Sequence, residues 1–122
     1  MLTYIHIPAD SSQPVELARC NDSLEGVQNV LGDSYEPIPV DNLDHLIDDG
    51  NSEDTFHLFI DANSKAKDLP VNALATSLGR LFPGDYIAGD AMLVRTDRCS
   101  DIVALPPRTW EVTLEHIRAL DS

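Results

Sequence analysis

The segment DYIAGDAMLV, residues 85–94, sets two aspartates five positions apart around a glycine. Two nearby carboxylates can work as an acid–base pair, as in glycoside hydrolysis. On one strand, however, an odd spacing sends the side chains to opposite faces, where they cannot share a substrate. Asp85 follows Gly84 and reads as a turn residue. Asp90 reads as a polar interruption of a strand, hydrogen-bonded or solvated at an edge. Gly84 and Gly89 also have the spacing of a phosphate-binding loop, but Asp90 stands where that loop needs its lysine and would repel the phosphate. The chain has no GxGxxG and no GxSxG pattern.

Metal chemistry finds little more support. Asp61-Ala-Asn63-Ser-Lys65 opens like a calcium loop, yet Lys65 puts a cation where an oxygen ligand belongs, and no glycine follows at the sixth position. Asp48-Asp49-Gly-Asn51-Ser-Glu53-Asp54 is richer in oxygens and reads first as a solvated loop, with weak calcium binding as the alternative. His6, His45, His57 and His116 show no HxxxH or HExxH spacing. His6 and His57 fall in strand-like segments and could be neighbours, more simply as structural histidines than as a zinc pair. Cys20 and Cys99 stand apart with no CxxC motif, so they read as thiols rather than a disulfide or a metal site. No catalytic residue, metal ligand or cofactor site is therefore assigned.

The elements that would position these residues follow from periodicity. Leu2–Ile7 reads as a strand that pairs with the segment after Pro14 as a hairpin. Asp22-Ser-Leu-Glu25 resembles a capping box, with Leu24, Val27, Val30 and Leu31 on one helical face and Gly32 at the stop. Ser34–Val40 carries Pro37 and Pro39, which cannot donate to a ladder, so it reads as an edge strand or an extended segment. Within 41–54, Leu43, Leu46 and Ile47 suit a short helix and the rest a loop. Thr55–Asp61 reads as a central strand covered on both faces. Asn72 is a good N-cap for a helix over 73–82. Residues 85–94 read as one strand, in which Gly89 marks a bulge or a close neighbour. Ile102–Leu105 suits a short strand, and Trp110, Leu114, Ile117 and Leu120 mark an amphipathic C-terminal helix at about 107–120. The expectation is a single α+β domain over 1–122, with a mixed or mostly antiparallel sheet of about five strands and two or three helices.

The length of 122 residues and an apolar content of 43% fit one domain with one core. No apolar run approaches the roughly 20 residues of a spanning helix, and the N-terminus lacks the features of a signal peptide. A cytoplasmic protein is expected. Charge is the strongest compositional feature. Twenty-one acids, fifteen of them Asp, face eight bases, only two of them Lys, for a net charge of −13. Such a surface repels nucleic acid and anionic membranes, so neither is an expected partner. Three explanations remain: a saline cytoplasm that screens the repulsion, a basic protein partner, or simple solubility.

Several blocks occur in a recognisable order: Gly32-Asp-Ser-Tyr35-Glu36-Pro37-Ile-Pro39-Val, then Leu58-Phe-Ile-Asp61, then Leu69-Pro70-Val-Asn72-Ala-Leu-Ala75-Thr76, then Ile87-Ala-Gly89-Asp90-Ala-Met-Leu-Val94. Together they resemble a small domain family of unknown function found in phages, plasmids and genomes, especially of actinobacteria, with blocks like GxYIEAVP, LYVNEEGKL, LPPNxxAT and IxGDxVLV. The likeness spans about residues 1–105. The chain departs from it in the acidic 41–54 segment and at Lys65-Ala-Lys67, where the family has a glycine turn. The resemblance implies no catalytic residues; it implies a small intracellular protein of phage or mobile-element origin.

The resulting expectation is a non-enzymatic protein that acts by protein–protein interaction with a host factor. The alternative is an anti-defence inhibitor, anti-restriction or anti-CRISPR, that imitates DNA with rows of acids; a metal-dependent enzyme is the thin third reading. The candidate acidic surface comprises Asp41, Asp44, Asp48, Asp49, Glu53 and Asp54, joined by Asp85 and Asp90, with Asp97 and Asp101 continuing the second row. The expected partner is a host or defence protein with a basic surface.

Overall fold

A computed structural model describes residues 2–10, 12–21, 24–32, 34–40, 55–96, 102 and 107–121. Among these, five strands and three helices follow in the order β1 (Leu2–Ile7), β2 (Glu16–Cys20), α1 (Leu24–Leu31), β3 (Tyr35–Pro39), β4 (Thr55–Asp61), α2 (Ala73–Leu78), β5 (Ala91–Thr96) and α3 (Pro107–Asp121). The strands form one sheet in the order β2-β1-β5-β4-β3. Every pairing is antiparallel, with Tyr4 opposite Ala18, Ile5 opposite Leu93, Leu58 opposite Leu93, and Ile38 opposite Leu58. The α+β architecture expected from periodicity is the one found.

The sheet is the middle of three layers, and period-two alternation sorts its side chains between them. Ile5, Ile38, Phe56, Leu58, Ile60 and Leu93 pack with Ala75 and Leu78 of α2 and with Trp110 and Ile117 of α3. Tyr4, Phe59, Met92 and Val94 face the other way and pack with Val27 and Leu31 of α1. Burial on both faces explains why β4 and β5 read as nearly continuous apolar runs. The edge position of β3 follows from Pro37 and Pro39, as expected. β2 and β3 lie at opposite edges, and α1 between them packs against both as well as against β4.

Gly32 ends α1 at φ +126°, where a non-glycine residue would be strained, and its amide donates to the Gln28 carbonyl at 2.7 Å. The capping-box residues Asp22 and Ser23 lie outside the described residues, as do the helix proposed around Leu43–Ile47 and positions 103–105 of the last expected strand. Ile102 forms one antiparallel bridge with Thr96.

Two expected elements are shorter in the structure. α2 stops at Leu78 instead of continuing to residue 82. Gly79 takes an extended conformation there and bridges Val40, so pairing to the sheet edge ends the helix before its apolar period does. β5 begins at Ala91, not Asp85. Residues 87–89 turn aside to pair with residues 70–72 through the Asn72 amide to the Ile87 carbonyl and the Gly89 amide to the Pro70 carbonyl, both 2.8 Å. Gly89 adopts φ +79°, a conformation that favours glycine, whereas the Leu69 Cδ1 that an added Cβ would approach to 2.9 Å ends a flexible side chain and could shift.

Candidate interaction site

Asn72 anchors the surface built by residues 61–90. Its side chain is 1% exposed. Oδ1 accepts from the Ala75 amide at 3.1 Å, giving the N-cap expected of asparagine. Nδ2 donates to the Ile7 carbonyl at 2.9 Å and to the Gly89 carbonyl at 3.0 Å. Thr76 completes the network: its hydroxyl donates to the Asn72 carbonyl at 2.7 Å and accepts from the Ile87 amide at 2.9 Å. A single amide side chain thus joins the end of β1, the start of α2 and the turn before β5. A buried amide must satisfy both of its ends, which makes this arrangement specific rather than merely tolerated.

Beside this anchor, residues 62–68 turn back across the end of β4. Asp61 accepts from the Asn63 amide at 2.9 Å and from the Lys67 ammonium at 2.7 Å. Burial pushes its pKa up, but the bonds from Lys67 and Asn63 outweigh burial and hold it below the usual carboxylate value. Lys65, on the same turn, pairs with Asp85, and its Nζ lies 4.5 Å from the Tyr86 ring centroid. Asp85 also accepts from the Tyr86 amide at 2.8 Å. The Lys65 bond first, and the Tyr86 bond second, lower the Asp85 pKa; the same ion pair raises that of Lys65. Both lysines of the chain therefore sit on one turn, and each is matched to an aspartate.

Asp90 belongs to a different contact. One oxygen lies 2.8 Å from His6 Nε2, and the other accepts from the Ala9 amide at 2.9 Å. Asp85 and Asp90 thus serve separate partners, and neither lies within a strand. The six remaining candidates, Asp41, Asp44, Asp48, Asp49, Glu53 and Asp54, lie outside the described residues, as do Asp97 and Asp101. His6 and His57 are not neighbours: they pair with Met92 and Val94 on opposite sides of β5. His57 Nδ1 instead lies 2.7 Å from Thr96 Oγ1. Among the described residues no cluster of three metal-ligating side chains occurs.

Exposed apolar side chains gather in the same stretch of chain. Phe82 is 85% exposed, Val71 54%, Tyr86 40% and Leu69 36%. Phe82 opens the turn that the Asp85 amide closes onto its carbonyl at 3.0 Å, with Gly84 at φ +84°. Nearby recesses are small. One of about 150 Å³ lies among Pro8, Gln13, Val15, Val71 and Leu74. Another of about 90 Å³ lies among Glu36, Ile60, Asp61, Lys65, Asp85 and Tyr86. Both fall below the roughly 300 Å³ at which small-molecule sites begin.

No family model, curated protein or solved structure matches the chain.

Two features escaped the sequence reading. Phe82 falls within the helix expected over 73–82 and continues its apolar period, but that helix stops at Leu78 and leaves the ring exposed. Arg95 lies at 2% exposure with its guanidinium carbon 5.2 Å from the Phe56 ring centroid. Nothing in the sequence pattern signals this, since an arginine in a strand normally reads as solvated.

Proposed function

We propose that the protein acts by protein–protein interaction and without chemistry of its own, through the surface formed by residues 61–90. The observation that carries this reading is Phe82, an aromatic ring 85% exposed on a turn, with Tyr86, Val71 and Leu69 also exposed in the same stretch. Aromatic residues are enriched at the energetic centres of interfaces. The net charge of −13 favours a partner with a basic surface. The blocks that resemble the phage and plasmid family support a host factor as that partner.

The test is affinity capture with the wild type and with Phe82→Ser, washed at low and high salt. A protein retained by the wild type through the high-salt wash and lost with Phe82→Ser supports the reading. Equal retention by both overturns it.

The DNA-mimic reading draws on a different feature, the six acids in residues 41–54, which contain no Lys or Arg. It predicts capture that competitor DNA abolishes and that weakens steeply with salt. Charge reversal at Asp48 and Asp49 would then remove binding while Phe82→Ser would not.

A further inference from the structure

We propose that the recess between the 62–68 turn and the 82–87 segment is a receptor for an arginine side chain of a basic partner protein, and that Lys65 is its built-in occupant. The walls supply what a cationic head group requires. Asp85 provides a carboxylate, the Tyr86 ring an aromatic face, and Glu36 a second negative charge, above a floor of Ile38, Ile60 and Ile87. The Lys65 ammonium already uses all three: it bonds to Asp85, lies over Tyr86 and feels the charge of Glu36. A bound cation, though tethered, shows which chemistry the recess accepts.

Lys65 is also an easily displaced occupant. The pair is well exposed, with side-chain exposures of 51% and 36%, and exposed pairs hold weakly. Lys65 and the Tyr86 amide both bond to Asp85 Oδ1. A planar guanidinium can engage Oδ2 as well and stack on the ring, which an ammonium cannot do. An incoming arginine therefore replaces lysine with a better-fitting group, while Lys65 swings into water. The carboxylates of Asp85 and Glu36 thereby confer a preference for basic partners.

The inference rests on the interaction reading for its biological role, but its test needs no partner. Amide NMR shifts of the wild type, Lys65→Ala and the double variant Lys65→Ala/Tyr86→Leu would be followed during titration with N-acetyl-arginine amide, with N-acetyl-norleucine amide as the neutral control. Lys65→Ala should give saturable shifts confined to residues near 36, 61–65 and 85–87, about fivefold tighter than the wild type, the scale of an exposed ion pair. The Tyr86→Leu double variant, and Asp85→Asn in the same background, should lose them. Equal affinity of wild type and Lys65→Ala, no localised shifts in Lys65→Ala, or equal shifts with norleucine would overturn the proposal. A negative titration alongside a partner that still requires Phe82 would sink this inference alone.

Discussion

Both lysines of one turn pair with an aspartate, and the two pairs differ most in the burial of the carboxylate. The carboxylate of Asp61 is 6% exposed beneath Lys67, whereas that of Asp85 is 36% exposed beside Lys65. Burial removes water as a substitute partner, so Asp61 depends on its lysine and on the Asn63 amide. Asp85 can return to water at little cost. The comparison teaches that the lysines are not a generic answer to excess acid. Lys67 holds the turn to β4, and Lys65 occupies a surface site that another cation can fill.

The strongest way to break the comparison is to remove the frame that both pairs share. Asn72→Ala deletes two bonds to buried carbonyls and the N-cap of α2, and should cost about 2–4 kcal/mol, read as a lower urea midpoint with loss of near-ultraviolet signal. Next, Lys67→Ala leaves a buried carboxylate without its ammonium. Because that ammonium is half-exposed in the wild type, the cost should be on the order of 1 kcal/mol. Lys65→Ala should leave the urea midpoint unchanged, and an equal loss in the two lysine variants would abolish the distinction.

Acid pH sharpens the contrast. The folded-state pKa of Asp61 is lowered, so the unfolded chain binds more protons between that value and the ordinary carboxylate value of about 3.9. Its contribution to stability is therefore complete above about pH 4 and disappears as pH falls through the folded value. Urea midpoints measured from about pH 5 down to pH 2 should fall in the wild type and fall less steeply in Lys67→Ala. The smallest effect is expected from Phe82→Ser, which should leave stability intact because its ring meets water on most of its surface; an appreciable loss would place that ring in the core.

Much of the fold was legible in the residues. Pro37 and Pro39 marked β3 as an edge because they lack the donor that a central strand needs. The alternation in residues 55–61 marked a strand covered on both sides, and Asn72 marked the start of α2. The limits of two elements were not legible. Leu81 and Phe82 continue the apolar period of α2, and Tyr86–Asp90 alternates like a strand. In each case a contact distant in sequence overrides the local pattern, Gly79 with Val40 and Val71 with Ala88. The candidate site was partly visible. Asp85 and Asp90 stood out as acids bracketing a glycine, but their different partners, Lys65 and His6, lie 20 and 84 positions away.

By itself the sequence determined the class of molecule: an acidic α+β chain whose apolar periods build one two-sided sheet and whose residues form no familiar catalytic motif. Those properties depend on composition and on neighbours within a few positions, which any chain carries before it folds. Only the tertiary structure decided which charges are matched, which aromatic ring faces water, and where α2 and β5 end. Each of those outcomes depends on burial and on contacts between distant segments, and burial sets how much a carboxylate needs its lysine.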